Sequence, residues 1–122
     1  MVSNRKKNIA FLSTYPPREC GIATFTQDLV RELDNVGLLN KPKVIAVNDK
    51  DYDYSDRVIM KLPQDDRESY SKLADSINSS DIELLVIEHE YGIFGGESGE
   101  YLLDLVKNLE VPFITTLHTV LP

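Results

Sequence analysis

The sequence is poor in metal ligands, in positive charge and in long apolar runs. Its one cysteine, Cys20, excludes an internal disulfide, and its two histidines, His89 and His118, are too few for a closed structural zinc site unless carboxylates join. After Lys7 only Ile9 to Leu12 are continuously apolar, too short for a signal-peptide core, and nothing approaches membrane-spanning length. A soluble, unprocessed chain in a reducing, cytoplasmic setting is expected. Thirteen basic residues stand against twenty acidic ones, and a net charge of -7 repels phosphate backbones, so no nucleic-acid partner is expected. The basic run Arg5, Lys6 and Lys7 reads as a solvated tail. The glycine patterns of dinucleotide-binding and P-loop proteins are both missing. So are internal repeats and low-complexity segments.

What is present fits one domain of 122 residues, with alternating strand and helix patterns. Residues 8–13 read as a first strand. The loop from Thr14 to Cys20 contains two adjacent prolines and cannot be regular structure. A helix opens at Gly21, with Ile22, Phe25, Leu29, Leu33 and Val36 on its inward stripe and Thr26, Asp28, Arg31 and Glu32 toward water. Residues 43–48 and 57–62 are further strands. No helix joins them, yet the eight intervening residues reach roughly 26 Å when extended, enough to run back along a strand of about 17 Å. A parallel third strand is therefore expected, because the next helix, 65–79 with Tyr70, Leu73, Ala74 and Ile77 inward, must start at the sheet's carboxyl end. A fourth strand over 81–88, a helix over 97–109 with Leu102, Leu105, Val106 and Leu109 inward, and a fifth strand over 112–117 complete the pattern. The expected fold is a three-layer, Rossmann-like α/β domain, its mostly parallel five-stranded sheet in the order 3-2-1-4-5 with helices on both faces. That order leaves the fifth strand at an edge, so a second copy pairing there as a homodimer is expected.

The most informative stretch runs from Asp81 to Gly96. Leu84 to Ile87 form an apolar run suited to a strand buried on both faces, and Glu88, His89, Glu90, Tyr91 and three glycines follow at its exit. In the expected order, this exit and the Thr14–Thr24 loop flank the point where the strand order reverses, with His118 at the next strand's exit. The Gly21 helix start offers unpaired N–H groups to an anion. Alternation along a strand puts Glu88 and Glu90 on one side and His89 on the other, which speaks against a metal trio. Cys20 has no histidine near it in sequence to make it a nucleophile. Asp49, Asp51 and Asp53 imitate a calcium loop, but Tyr54 stands where glycine is needed and Met60 where glutamate is needed, leaving a solvated acidic loop.

Three segments, PPRECGIATFTQDLV, EHEYGIFGGESGEYLLDLV and TTLHTVLP, resemble the amino-terminal domain of group 1 (family 4) glycosyltransferases of the GT-B fold. The resemblance runs in register across nearly the whole chain. It implies two Rossmann-like domains facing across a cleft, the first holding the acceptor and the second the nucleotide-sugar, with transfer that retains anomeric configuration and usually needs no metal. On this resemblance Gly21, with Cys20 where the family often has another glycine, meets the donor's diphosphate, and His118 lies beside the transferred sugar. Tyr91, Gly92, Phe94, Gly95 and Gly96 match the acceptor-side loop, and Arg18 is placed to hold an anionic acceptor group. Residues 1–122 then correspond to a partial amino-terminal, acceptor-side domain, inactive alone and without a bound cofactor. The missing carboxyl-terminal domain and a sugar or lipid-type acceptor are its expected partners. The competing reading is a free-standing flavodoxin-like module that binds a small anion or a protein.

Overall fold

A computed structural model describes residues 5–118. The elements are β1 (Ile9–Ser13), α1 (Gly21–Leu33), β2 (Lys43–Asn48), β3 (Val58–Pro63), α2 (Arg67–Asn78), β4 (Leu84–His89), α3 (Leu102–Val106) and β5 (Phe113–Leu117). All strand pairs are parallel and the order is β3-β2-β1-β4-β5. This is the expected topology, including the direction of β3. No helix among the described residues is long and apolar enough to cross a membrane.

The central strands are continuously apolar because both of their faces are covered. On one face Ala10, Leu12, Ile45, Val47, Leu85 and Ile87 meet Tyr70, Leu73, Ala74 and Ile77 of α2 and Leu105 of α3. On the other, Phe11, Val44, Ala46 and Val86 meet Val30 of α1, with Leu29 and Leu33 partly buried. The loop from β2 to β3 runs along this second face. Tyr54 packs there beside Val58, where a crossover helix would otherwise lie.

Three expectations are corrected in detail. The inward stripe of α1 is rotated: Ile22, Ala23, Thr26 and Val30 are buried, while Phe25 is 44% exposed. Thr26 faces inward because it has a polar partner there. Ser13 Oγ lies 2.8 Å from the Thr14 carbonyl, which can only accept, so Ser13 donates to it and Thr26 donates to Ser13 across 2.8 Å. The helix expected over 97–109 is broken into a 3-10 turn at Glu97–Gly99 and the short α3, because Ser98 and Gly99 take positive φ of 57° and 75°. The basic amino-terminal run is not a free tail. Arg5 makes a two-pronged ion pair with Glu83 at 2.7 and 2.9 Å, and Lys7 exchanges backbone hydrogen bonds with Leu38 and Asn40.

Every residue of β5 is exposed. Register places Ile114 and Thr116 beside Val86 and Glu88 on the α1 face, and Phe113, Thr115 and Leu117 beside Leu85, Ile87 and His89 on the other.

Candidate functional site

The carboxyl end of the sheet carries the loops that the sequence singles out. At the exit of β1, Tyr15 is buried, the Pro16–Pro17 bond is cis, and Cys20 caps α1 in an extended conformation with its Sγ 2.9 Å from Thr14 Oγ1. Gly21 is exposed, and a Cβ added there would meet nothing within 4 Å. The fold does not demand glycine at this position. In the first turn of α1 Gly21 is exposed while Ile22 and Ala23 are buried, and the leading N–H groups of a helix have no helical partner.

Arg18 turns toward the exit of β2. It donates to the Val47 carbonyl at 3.1 Å and lies 3.7 Å from the Asp49 carboxylate. Tyr52 donates to that same carboxylate, and this bond, with Arg18 adding its charge, holds Asp49 below the usual carboxylate range. These groups line an open cavity of about 460 Å³ together with Pro17, Glu19, Cys20 and Lys50. The acidic loop is thus tied to the rim by Asp49, and among the described residues no group of three or more His, Cys, Asp or Glu is placed to hold a metal ion.

At the exit of β4 the chain folds back over the α2 face. Ile93 and Phe94 are buried there, and Phe94 stacks on His89 with ring centroids 5.9 Å apart. Phe94, expected on the wall of the acceptor pocket, supports that loop from beneath. Tyr91 is 49% exposed and stands edge-on to His89 at 5.7 Å, so it is the aromatic ring that this loop offers to solvent. Gly92 accepts from Gln64 through its carbonyl. Gly95 lies against the backbone of Gln64, where a Cβ would come within 2.1 Å of the carbonyl oxygen. Gly96 has φ of 85°, which a side chain would strain. His89, Glu97, Ser98, Glu100 and Leu103 line a second open cavity of about 440 Å³ beside this loop.

His118 sits at the exit of β5, its backbone N–H bonded to the His89 carbonyl at 2.9 Å. Its Nε2 lies 2.6 Å from Oε2 of Glu88, a side chain only 1% exposed, and its ring stands edge-on to Phe25 with centroids 4.7 Å apart. Phe25 is four residues beyond Gly21, hence on the same stripe of α1 and one turn along it. Gly21 and His118 therefore share one side of the rim, on the α1 face. The rest of the TTLHTVLP segment, residues 119–122, lies outside the described residues. Alternation along β4 is as the residues imply: Glu88 faces α1 and His89 faces the α2 side.

Two contributors to this site were not singled out from the sequence, Glu88 as the partner of His118 and Phe25 as its packing surface. The alternation signal alone put Glu88 opposite His89. Pairing it with His118 required the register of β5 on β4. No family model, curated protein or solved structure matches this chain. The fold and the rim define a Rossmann-like α/β domain with two open cavities at the carboxyl end of its sheet.

Proposed function

We propose that this chain is the acceptor-side portion of a retaining glycosyltransferase, which moves a sugar from a nucleotide-diphosphate sugar to a sugar or lipid-type acceptor. A second, donor-binding domain completes the cleft, and the chain alone is inactive. The observation that carries this reading is the shared position of Gly21 and His118, joined through the Phe25 ring. The three motif segments meet there although they are far apart in sequence. In this reading the N–H groups at Cys20 and Gly21 meet the diphosphate, and His118 orients the transferred sugar, strengthening its contact as charge develops. Tyr91 and the Gly92 to Gly96 turn bound the acceptor side. Arg18, at the β2 exit, holds an anionic group of the acceptor.

Magnitudes support the need for a second domain. Micromolar affinity takes about 8 kcal/mol, whereas a charge at an exposed helix start gains about 0.3 to 1 kcal/mol. The test is transfer from a panel of nucleotide-diphosphate sugars by this domain joined to a donor-binding domain, with the chain alone as the blank. Transfer that is greatly slowed but still measurable in His118→Ala supports the reading, and full transfer by that variant removes His118 from it.

The exposure of Phe113, Ile114 and Leu117 favours a second reading, a binding module that pairs with a second copy of itself along β5. The strand carries no charge to oppose such pairing. Light scattering separates the two, since a strictly monomeric chain at high concentration overturns the paired form.

A further inference from the structure

The Glu88–His118 pair has a directionality that the proposed role of His118 leaves open. Glu88 is 1% exposed and faces α1 from β4. Its Oε2 lies 2.6 Å from Nε2 of His118, while its Oε1 is sealed from solvent with no partner among the described residues. That bond therefore carries the compensation for a carboxyl group taken out of water. Where the carboxyl oxygen is the acceptor of this bond, the shared proton sits on Nε2 and the tautomer is set by Glu88. The imidazole is held in two further ways. Phe25 stands edge-on against it at 4.7 Å, and the His118 backbone N–H is bonded to the neighbouring strand.

We infer that Glu88 is a positioning residue: it engages Nε2 and locks the ring so that Nδ1 is the nitrogen presented to a ligand, and the ligand group suited to it is a hydroxyl. The side-chain hydrogen bond that His118 makes among the described residues is at Nε2, which leaves Nδ1 open on a side chain that is 19% exposed. A hydroxyl both donates and accepts, so it matches Nδ1 whether that nitrogen carries a proton or a lone pair. The hydroxyl part of this inference rests on the sugar-handling reading above, whereas the Glu88–Nε2 lock rests on geometry alone.

Long-range 15N–1H spectra of the two imidazoles in this chain test the lock, with His118→Asn used to assign the signals. In the unsubstituted chain His118 is expected to carry a proton on Nε2 that exchanges slowly with water. In Glu88→Met that proton becomes fast-exchanging, and the contact between the His118 and Phe25 rings weakens in nuclear Overhauser spectra. An unprotonated Nε2 in the unsubstituted chain overturns the lock, and this measurement needs no variant of Glu88 to fold. The positioning role is read in the complete transferase. There Glu88→Gln should lower kcat by about ten- to a hundredfold with KM nearly unchanged, and cause no further loss in a His118→Ala background. An unchanged kcat in Glu88→Gln, or an equal loss in both backgrounds, overturns that role. Absence of transfer in every version, with the Nε2 signature intact, removes the sugar hydroxyl and leaves the lock standing.

Discussion

Replacing Gly95 and Gly21 by alanine should separate a glycine that the fold requires from one that it does not. At Gly95 an added Cβ meets the Gln64 carbonyl oxygen at 2.1 Å and the Tyr101 ring at 2.7 Å, where real contacts essentially never fall below 3.0 Å. The carbonyl cannot move freely, because it accepts the Tyr70 hydroxyl at 2.7 Å, and that hydroxyl accepts the Gly95 N–H at 3.0 Å. Tyr70 is fully buried, so separating Gly95 from Gln64 also breaks this relay. Overpacking of about 1 to 3 kcal/mol and the loss of one buried hydrogen bond, about 1 kcal/mol, together give a destabilisation of about 2 to 4 kcal/mol. For a chain of 122 residues, each kcal/mol corresponds to about 4 °C, so Gly95→Ala should melt about 8 to 16 °C lower. At Gly21 the same methyl group meets nothing, and alanine is the better helix former by about 0.5 to 1 kcal/mol. Its melting temperature should hold or rise by up to about 4 °C. Thermal melts followed by far-ultraviolet circular dichroism give both values. Gly95→Ala melting within about 2 °C of the parent would refute the close-approach argument. A fall in Gly21→Ala would show that the open space above α1 has been misread. On the proposed function, Gly21→Ala should also weaken donor binding in the complete enzyme while leaving the fold intact.

Acid should destabilise the chain through its paired carboxylates. Hydrogen bonds from Arg5, then from the Asn8 backbone, draw the Glu83 carboxyl from its ordinary value of 4.5 down to about 2. Because the folded value is depressed, this stability is present in full above about pH 4.5 and is lost as pH falls toward about 2. Arg57 and Arg67 lower Asp34 and Asp104 in the same direction. Urea midpoints measured across that range should decline, and Arg5→Ala should make the decline shallower; an identical acid limb in the variant counts against the Glu83 contribution. At the alkaline end, burial pushes the Tyr54 hydroxyl up to about 12, with the charge of Tyr52 adding to it. Ultraviolet titration should therefore show a late tyrosine phase whose amplitude drops by one ring in Tyr54→Phe, and an undiminished phase would place the late group elsewhere.

Much of the architecture could be read without coordinates because its signals are local. The Leu84 to Ile87 run and the stripe of Tyr70, Leu73, Ala74 and Ile77 each report one element's own burial, and the structure buries all of them except Leu84, which is half-buried. The direction of β3 followed from where the next helix must start, with the β2–β3 loop long enough to permit it. The stripe of α1 misled because Thr26 looks polar and Phe25 looks apolar in isolation. Ser13 supplies the hydroxyl that lets Thr26 go inward, and rim packing against His118 takes Phe25 outward. The break before α3 was hidden by residues of good helical periodicity, with Ser98 left-handed only in its folded context.

For the site, sequence alone determined which loops stand at the strand exits, since alternation and turn residues are written in neighbouring positions. The tertiary structure alone decided that Glu88 meets His118, that Phe94 is interior while Tyr91 is exposed, and that Gly95 rather than Gly21 is required by packing. The physical reason is that each of these depends on strand register or on the approach of distant backbone. Neither is encoded by the residues that happen to be adjacent in the chain.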